Sequence, residues 1–399
     1  MLAAYLLSVL YLALTSALAS PAALPDSRST PAIPPAGFAR RNGATIYVDN
    51  TPYYFAGAQQ YWLTSRATTD DVWRKTFDRY KELGVRVARV FVYGIDATAG
   101  PSPAVYHNWN GAKLSVNYGE NGLGRIDKML AMAKQYNMKL ILVLADNWGA
   151  QSGSANTYVR NVIGAAGNYH SDFFTNAAVI KVYEQYIAAV VARYKASPEV
   201  FAWELMNEQQ GDITSIDGRR ARPGFTAAMM TKWIADRSKY IKSLDPWHLV
   251  SIGDSGYYNW PGNTRHTYDG KVQMDFDANL RIPTVDIGTF HLYEWFQPTK
   301  EWGLECIKAH VDNMKKIGKP VFCEEFGAAG GNNQTAIYPT WVKTMLDGGL
   351  AGIMPWQVSG VGIYKSASQK TFDDLDIYPE KTVVWSTLKN MAAVLNARK

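Results

Sequence analysis

The stretch Phe201-Ala202-Trp203-Glu204-Leu205-Met206-Asn207-Glu208 decides the predicted fold, because it is an apolar run that ends in an amide and a carboxylate. Glu204 is the one charged residue inside the run. A parallel strand buried on both faces shows such a continuous apolar run. In a β/α barrel, catalytic residues lie at the C-terminal ends of the strands. Two interpretations stay open on these residues alone: a site carboxylate, or a buried Glu paired with an arginine.

A second stretch of the same form, Pro320-Val321-Phe322-Cys323-Glu324-Glu325-Phe326-Gly327, favours a site. Apolar runs predict strands at 54–58, 85–93, 139–145, 200–206, 248–253, 285–291, 320–324 and 352–356. Helical spacing predicts helices near 69–83, 123–136, 176–195, 226–244, 304–317, 338–346 and 383–397. This alternation predicts an α/β protein with a single-domain (β/α)8 TIM barrel.

An open doubly wound sheet is the alternative fold. Such a sheet usually has a Gly-rich nucleotide turn after its first strand, whereas this chain has Gln59-Gln60-Tyr61-Trp62 there. Long segments follow four predicted strands, at 94–121, 146–172, 209–225 and 357–379. In a barrel these long loops lie at the C-terminal face, and we expect them to build a cleft.

The N-terminus has the pattern of a secretory signal peptide. Residues 2–19 are almost wholly apolar and end in Ala17-Leu18-Ala19, a small-x-small cleavage pattern. A membrane anchor is the alternative, but no basic stop-transfer run follows. We expect a signal peptide at 1–19, a leader rich in Pro, Ala and Ser at 20–36, and a catalytic barrel domain at 37–399. The predicted location is therefore secreted and extracellular.

Composition narrows the classes of partner. The formal net charge of +6 over 399 residues is too small for a nucleic-acid footprint. No later stretch is long and apolar enough to span a bilayer. The 24 Tyr and 13 Trp suit binding to sugar faces, although barrels also bury aromatic residues. We expect a monomer that binds neither nucleic acid nor membrane. Whether Cys306 and Cys323 pair stays open.

The predicted strand tips bring polar and aromatic residues to one face. They are Arg89, Asn147, Trp148, Asn207, Glu208, His291, Tyr293, Glu325 and Trp356. Glu208 and Glu325 come from strands four and seven, so they face one another across the barrel mouth. Glycosidic bond cleavage needs two carboxyl groups, one that protonates the leaving oxygen and one that attacks or activates water. The two must differ in pKa, so each needs its own environment.

The remaining tip residues are predicted to bind substrate or to support the carboxylates. His291 and Tyr293 are expected to hold the nucleophile ionised through hydrogen bonds, although a core histidine is the alternative for His291. Asn207 is expected to contact the sugar 2-hydroxyl. Trp148 and Trp356 are expected to stack on sugar rings. Arg89 and Asn147 complete the predicted substrate-binding set.

Two further glutamates lie beside the predicted catalytic pair. Glu204 lies inside its strand, and we interpret it as a structural charge paired with Arg86 or Arg89. Glu324 precedes Glu325, and strand alternation points neighbours to opposite faces. We therefore expect only one of these two glutamates, Glu325, to line the lumen.

These motifs occur together in a known family. The shared segments are Ala56-Gly57-Ala58-Gln59-Gln60-Tyr61-Trp62-Leu63, Val87-Ala88-Arg89-Val90, Asp146-Asn147-Trp148, Trp203-Glu204-Leu205-Met206-Asn207-Glu208, Thr289-Phe290-His291-Leu292-Tyr293, Glu324-Glu325-Phe326-Gly327 and Trp356-Gln357. Over about residues 38–398 the chain resembles glycoside hydrolase family 5, and within it the secreted fungal-type endo-β-1,4-mannanases. The resemblance implies that Glu208 is the acid/base and Glu325 the nucleophile.

The chain departs from the family pattern near the cleft. Gln209-Gln210 stand where the family usually has Pro-Arg, and the cysteines that usually follow are absent. Asp146 replaces an Asn. The resemblance implies that the missing arginine contacts leaving-side sugars. The balance of endo-cleavage, exo-cleavage and transfer to sugars is therefore expected to differ from that of a typical member.

The predicted function is a retaining endo-β-1,4-mannanase acting on mannan, glucomannan or galactomannan. No metal or cofactor is expected, because no Cys/His cluster has zinc spacing and no calcium loop occurs. An exo-β-mannosidase or a β-glucanase would use the same mechanism. A catalytically silent carbohydrate-binding barrel is the non-enzyme alternative, and the full set of tip residues speaks against it.

Overall fold

A computed structural model describes residues 34–64, 68–94, 104–149, 152–164, 169–214, 218–295, 299–360, 363 and 375–399. The predicted signal peptide and the leader up to residue 33 lie outside these residues. The strands are β1 (Ala39–Asn42), β2 (Thr45–Val48), β3 (Thr51–Pro52), β4 (Phe55–Gln59), β5 (Val87–Phe91), β6 (His107–Asn110), β7 (Lys113–Val116), β8 (Lys139–Val143), β9 (Val200–Glu204), β10 (Leu249–Ser251), β11 (Gly288–Tyr293), β12 (Val321–Gly327) and β13 (Gly352–Ile353). The helices are α1 (Asp70–Leu83), α2 (Leu123–Tyr136), α3 (Ala155–Ile163), α4 (Asp172–Thr175), α5 (Ala177–Tyr194), α6 (Ala227–Leu244), α7 (Phe276–Arg281), α8 (Lys300–Ile317), α9 (Gly331–Gly348) and α10 (Thr382–Ala397).

Eight parallel strands form the barrel in the order β10-β9-β8-β5-β4-β13-β12-β11. A parallel bridge between Ser251 and Ile287 joins the two ends of this order. The amide of Asp286 also donates to the carbonyl of Val250 at 2.9 Å. Helices lie between successive strands, so the predicted (β/α)8 barrel is confirmed.

Helix α1 shows why the helices form where they do. The Thr69 side chain accepts a hydrogen bond from the amide of Val72 at the N-terminus, and Gly84 ends the helix at φ 82°. Trp73, Phe77 and Tyr80 are buried at i, i+4 and i+7, so one face packs on the sheet.

An apolar layer fills the N-terminal half of the barrel. Each barrel strand or its immediate flank contributes at least one residue to it, and these include Phe55, Val87, Ile141, Phe201, Leu249, Ile287, Phe322 and Met354. The ring of Phe55 meets those of Phe201 and Phe322 edge-on, at centroid distances of 5.1 and 5.4 Å. Because side chains alternate along a strand, the next inward positions lie one layer closer to the C-terminal face. Those positions include Arg89 and Glu324.

The connections differ from prediction in several places. Within the predicted long loops, the described parts form the β6–β7 hairpin and helix α3, and helix α4 begins where the second of these loops ends. Residues 252–287, between β10 and β11, make a further long connection with helix α7, which is not among the four predicted long segments. Helices α8 and α9 begin earlier than predicted.

Two sequence questions have simple structural answers. Cys306 and Cys323 are both buried free thiols and form no disulfide. Within the described ranges, the longest helices are too short or too polar to cross a membrane.

Candidate active site

Arg89 on β5 organises the floor of the site. Its side chain is fully buried and contacts three barrel strands or their tips. Its Nη2 donates to Glu204 Oε1 at 2.5 Å and to Asn207 Oδ1 at 2.8 Å. Its Nη1 donates to Glu325 Oε1 at 2.6 Å and to Gln59 Oε1 at 2.9 Å. The predicted pairing of Glu204 with an arginine is confirmed, with Arg89 as the partner.

The expectation that only one of Glu324 and Glu325 faces the lumen is wrong. The register between β11 and β12 pairs Phe290 with Cys323 and then His291 with Glu325, so Glu324 is an extra residue in a β-bulge. A bulge interrupts the alternation of side chains. Both glutamates therefore reach the interior: Arg89 lies 2.6 Å from Glu325 and 3.6 Å from Glu324.

Glu208 lies just beyond the tip of β9 in an uncommon backbone conformation. Its φ is 53°, the left-handed region that non-glycine residues rarely adopt and that is found at active sites. Its amide donates to the carbonyl of Gly253 at 2.8 Å. A Cβ at Gly253 would lie 2.0 Å from the carbonyl oxygen of Met206, so only glycine fits beside this turn. The chain thereby presents the Glu208 side chain inward.

Each carboxyl group has its own hydrogen-bond donors. Glu208 Oε1 lies 2.5 Å from His291 Nδ1, and Glu208 Oε2 accepts a hydrogen bond from the indole of Trp148. Glu325 Oε2 accepts from the hydroxyl of Tyr293 at 2.5 Å. One ligand atom each of Glu208, His291 and Glu325 lie within 4.8 Å of one another. The side chain of Glu208 is 15% exposed and that of Glu325 is 6% exposed, so both face a narrow opening.

The pKa values are set by burial and by His291. Burial lowers the pKa of His291, but the charges of Glu325 and Glu208 and the hydrogen bond to Glu208 raise it to about 10. Burial raises the pKa of Glu208, but the charge and hydrogen bond of His291 hold it below its ordinary value. Burial raises the pKa of Glu325, with a further contribution from Glu208. His291 and Glu208 therefore hold one proton between them, and His291 contacts Glu208 more closely than the predicted nucleophile.

The structure places two predicted substrate-binding residues below the cleft. Arg89 is fully buried against carboxylates. Asn147 is also fully buried, and its Oδ1 lies 2.8 Å from His170 Nε2 and accepts from the amide of Gln210. Both side chains hydrogen-bond to protein groups, and their contact with sugar stays a prediction. Gln210 is neutral and nearly buried, at 7% exposure, so it places no charge in the cleft.

Asn207 and Asp146 form the adjoining edge of the floor. The Asn207 amide donates to Asp146 Oδ1 at 3.0 Å, while its oxygen accepts from Arg89. Burial raises the pKa of Asp146 to about 7. The Asn207 side chain is oriented by these two partners and remains close to the carboxylates, as its predicted contact with a sugar hydroxyl requires.

Aromatic residues form the walls of the opening. Trp356 stacks with Tyr61 at a centroid distance of 6.0 Å and an interplanar angle of 16°. Trp148 acts as a hydrogen-bond donor to Glu208, a contact that the sequence did not predict. Trp295 was also missed: it is 50% exposed and stacks on Tyr293 at 4.4 Å. Its position two residues after Tyr293, at the tip of β11, was the available signal.

Ser255, after β10, was missed as well. Its hydroxyl lies 3.4 Å from Glu208 Oε1. The strand-tip rule that selected the other residues also covers this position, because Ser255 lies in the loop after β10.

Among the described residues, Glu208, His291 and Glu325 are the one trio of acidic, His or Cys side chains spaced to hold a metal ion. His291 Nδ1 and Glu208 Oε1 lie 2.5 Å apart, which is a hydrogen-bond distance and requires a proton between the two atoms. The arrangement therefore suits proton transfer better than metal ligation. The expected absence of a cofactor stays a prediction.

Comparison with known proteins agrees with this geometry. A family model described as Cellulase (glycosyl hydrolase family 5) matches residues 47–360. The chain belongs to glycosyl hydrolase family 5. The predicted family, the barrel and the class of glycoside hydrolase are thus confirmed.

Similar family members carry mannanase names. The chain is 35% identical over 327 residues to the probable mannan endo-1,4-beta-mannosidase F of Aspergillus flavus, covering 80% of this chain but only 66% of that protein. It is 34% identical to the probable mannan endo-1,4-beta-mannosidase A of the same organism, covering 84% of this chain and 85% of that protein. The crystal structure of the endo-1,4-beta-mannanase from Rhizomucor miehei superposes with a TM-score of 0.81 at 31% identity, covering 90% of this chain and all of that one.

Proposed function

We propose that this protein is a retaining endo-β-1,4-mannanase that hydrolyses mannan, glucomannan or galactomannan. The names of the relatives from Aspergillus flavus and Rhizomucor miehei support the substrate. The observation that carries the mechanism is the spacing of Glu208 and Glu325, whose nearest carboxylate oxygens lie within 4.8 Å. Retaining glycosidases place their carboxyl groups about 5–5.5 Å apart, whereas inverting enzymes leave about 6.5–9.5 Å for a water molecule.

In the first step, an oxygen of Glu325 bonds to the anomeric carbon while the bond from that carbon to the leaving oxygen breaks. Arg89 and Tyr293 each donate to one oxygen of Glu325, which orients the carboxylate before the attack. Glu208 gives a proton to the leaving oxygen. In the second step, water attacks the glycosyl–Glu325 ester, Glu208 takes a proton from that water, and Glu325 leaves as a carboxylate.

His291 supplies the proton that Glu208 transfers. The lowered pKa of Glu208 and the raised pKa of His291 support a shared proton that resides on Nδ1 before substrate binds. The 2.5 Å hydrogen bond lets this proton pass from His291 to Glu208 Oε1. Glu208 in turn gives a proton to the leaving oxygen. The second step returns a proton to the same pair. Charge and proton count are thus restored after each cycle.

Product analysis over time on linear mannan and on carboxymethyl cellulose tests this proposal, with wild type and Glu325→Ala side by side. We expect a spread of manno-oligosaccharides early in the reaction with the wild type and none with the variant. Mannose alone from the start would indicate an exo-enzyme. Equal product formation by the two proteins would mean that Glu325 does not perform the chemistry.

We also propose that the protein is secreted. The support is the apolar segment 2–19 with its Ala17-Leu18-Ala19 cleavage pattern. Expression of the full chain in a secreting host, with N-terminal sequencing of protein from the medium, tests this. We expect mature protein that begins at Ser20, and retention of the intact chain inside the cells would contradict it.

A further inference from the structure

Beneath the catalytic pair lies a second pair of carboxyl groups, Glu204 and Glu324, that the reaction steps above do not use. Both side chains are fully buried. They come from β9 and β12 and meet at Arg89 Nε, which lies 3.1 Å from Glu204 Oε1 and 3.6 Å from Glu324 Oε1. A direct hydrogen bond between them requires a proton, because an ionised carboxylate only accepts.

The charges around this pair also require a proton. Among the described residues, Arg89 and His291 are the two cations that contact the four glutamates Glu204, Glu208, Glu324 and Glu325. Four buried negative charges would exceed two positive ones, and uncompensated charge is costly at low dielectric. Like charges this close do not both ionise, so one proton is shared.

Three further titratable side chains of the described residues interact with the pair and are neutral. They are Tyr93, Tyr183 and Cys323. Burial raises the pKa of each well above its ordinary value. None of them supplies a charge that would balance a second ionised carboxylate at Glu204 or Glu324.

One atom in the pair shows where the proton is needed. Glu324 Oε1 is buried and has no N–H or hydroxyl donor among the described residues. The nearest cation, Arg89 Nε, lies 3.6 Å away, beyond hydrogen-bond distance. Buried acceptors are nearly always satisfied. An O–H between the two carboxyl groups satisfies this atom.

We infer that Glu204 and Glu324 share one proton and act together as positioning residues for Arg89 and His291. Arg89 donates through Nε and Nη2 to Glu204, which leaves Nη1 directed at Glu325. Glu324 Oε2 lies 3.4 Å from His291 Nε2, on the opposite side of the ring from Glu208. The single negative charge of the pair thus supports both cations that contact the catalytic glutamates. This role rests on the proposed two-glutamate reaction.

Glutamine variants test the shared proton, because Gln is a neutral mimic of a protonated Glu. Glu204→Gln and Glu324→Gln each leave the pair with one negative charge and one donor. We expect each to lower kcat/KM by no more than about tenfold, and the double variant to lower it by far more than the product of the two effects. If both carboxyl groups are ionised in the wild type, each single variant removes a charge and the two effects multiply instead.

The pH profile separates this role from a merely structural one. The double variant removes the negative charge next to His291 Nε2, so the pKa of His291 falls and the basic limb of kcat/KM moves to lower pH. Glu204→Gln leaves the negative charge on Glu324, beside His291 Nε2, and therefore keeps that limb in place. Glu301→Gln, an exposed change on α8, is the matched control and leaves the profile unchanged. A basic limb that stays fixed in the double variant would overturn the positioning role.

Infrared difference spectra detect the proton shared by Glu204 and Glu324 in the absence of substrate. They are recorded well above pH 7, because burial raises the pKa values of Asp146 and Asp254 to about 7 and both are then ionised. We expect a carboxylic acid C=O band in the wild type that is absent from both single variants. A wild type without the band would refute the inference even if mannan is hydrolysed. A band without any hydrolysis of mannan would refute the proposed function and leave the shared proton standing.

Discussion

Removal of the Tyr293 hydroxyl, in Tyr293→Phe, tests how the site holds the nucleophile. The change deletes one atom, the donor 2.5 Å from Glu325 Oε2. Hydrogen bonds to charged groups contribute about 1.5–3 kcal/mol, so kcat/KM is expected to fall roughly ten- to 150-fold. The aromatic ring stays in place, so the stacking with Trp295 at 4.4 Å is retained.

The same change has a defined effect on pH dependence. The hydrogen bond from Tyr293 lowers the pKa of Glu325, against the burial that raises it. Without the hydroxyl, the pKa of Glu325 rises further. Glu325 must be ionised to attack, so activity is lost as pH falls through this pKa. The acid limb of kcat/KM therefore moves to higher pH in Tyr293→Phe.

Initial rates on a soluble manno-oligosaccharide across the pH range measure both effects. Tyr194→Phe is the matched control, because its hydroxyl donates to the carbonyl of Leu123 at 2.7 Å, away from the site. It should leave both kcat/KM and the acid limb as in the wild type. Wild-type activity and an unmoved acid limb in Tyr293→Phe would show that Tyr293 does not hold Glu325 ionised.

Three further predictions follow from the contacts of the site and the core. Glu208→Gln should lose activity on substrates with poor leaving groups far more than on activated aryl glycosides, and equal losses in parallel assays would count against Glu208 as the acid. His291→Asn removes the imidazole whose pKa is raised to about 10, so the basic limb of the kcat/KM pH profile should move to lower pH. A basic limb that does not move would exclude a proton shared between His291 and Glu208. Phe201→Ala empties part of the apolar layer and should lower the free energy of unfolding by about 3–5 kcal/mol, measured in denaturant titrations. The pH profile of activity should not change. A loss below about 1 kcal/mol would contradict the packing described.

The sequence predicted the barrel strands and most site positions because their signals are local. Apolar runs such as Phe201–Met206 end where polar residues begin, and that boundary is the strand tip. The connection 252–287 was missed for the converse reason: helix α7 spans Phe276–Arg281, which is too short for a helical period to be visible.

The errors within the site come from contacts between distant segments. The bulge that turns both Glu324 and Glu325 inward is a property of the pairing between β11 and β12, and strand alternation in β12 alone cannot show it. The Asn147 side chain is fully buried, and its oxygen contacts His170, which lies 23 positions further along the chain. Likewise, His291 contacts Glu208 more closely than Glu325 because of side-chain geometry that spacing does not encode.

The central claim is that Glu325 and Glu208 hydrolyse the bond with retention of configuration. The most direct test is to measure the anomeric configuration of the first product by proton NMR during hydrolysis of a β-1,4-linked manno-oligosaccharide. Retention by Glu325, with Glu208 within 4.8 Å, predicts that the β-anomer appears first and then mutarotates. The α-anomer as the first product would contradict the double displacement and require a water molecule between the two carboxyl groups.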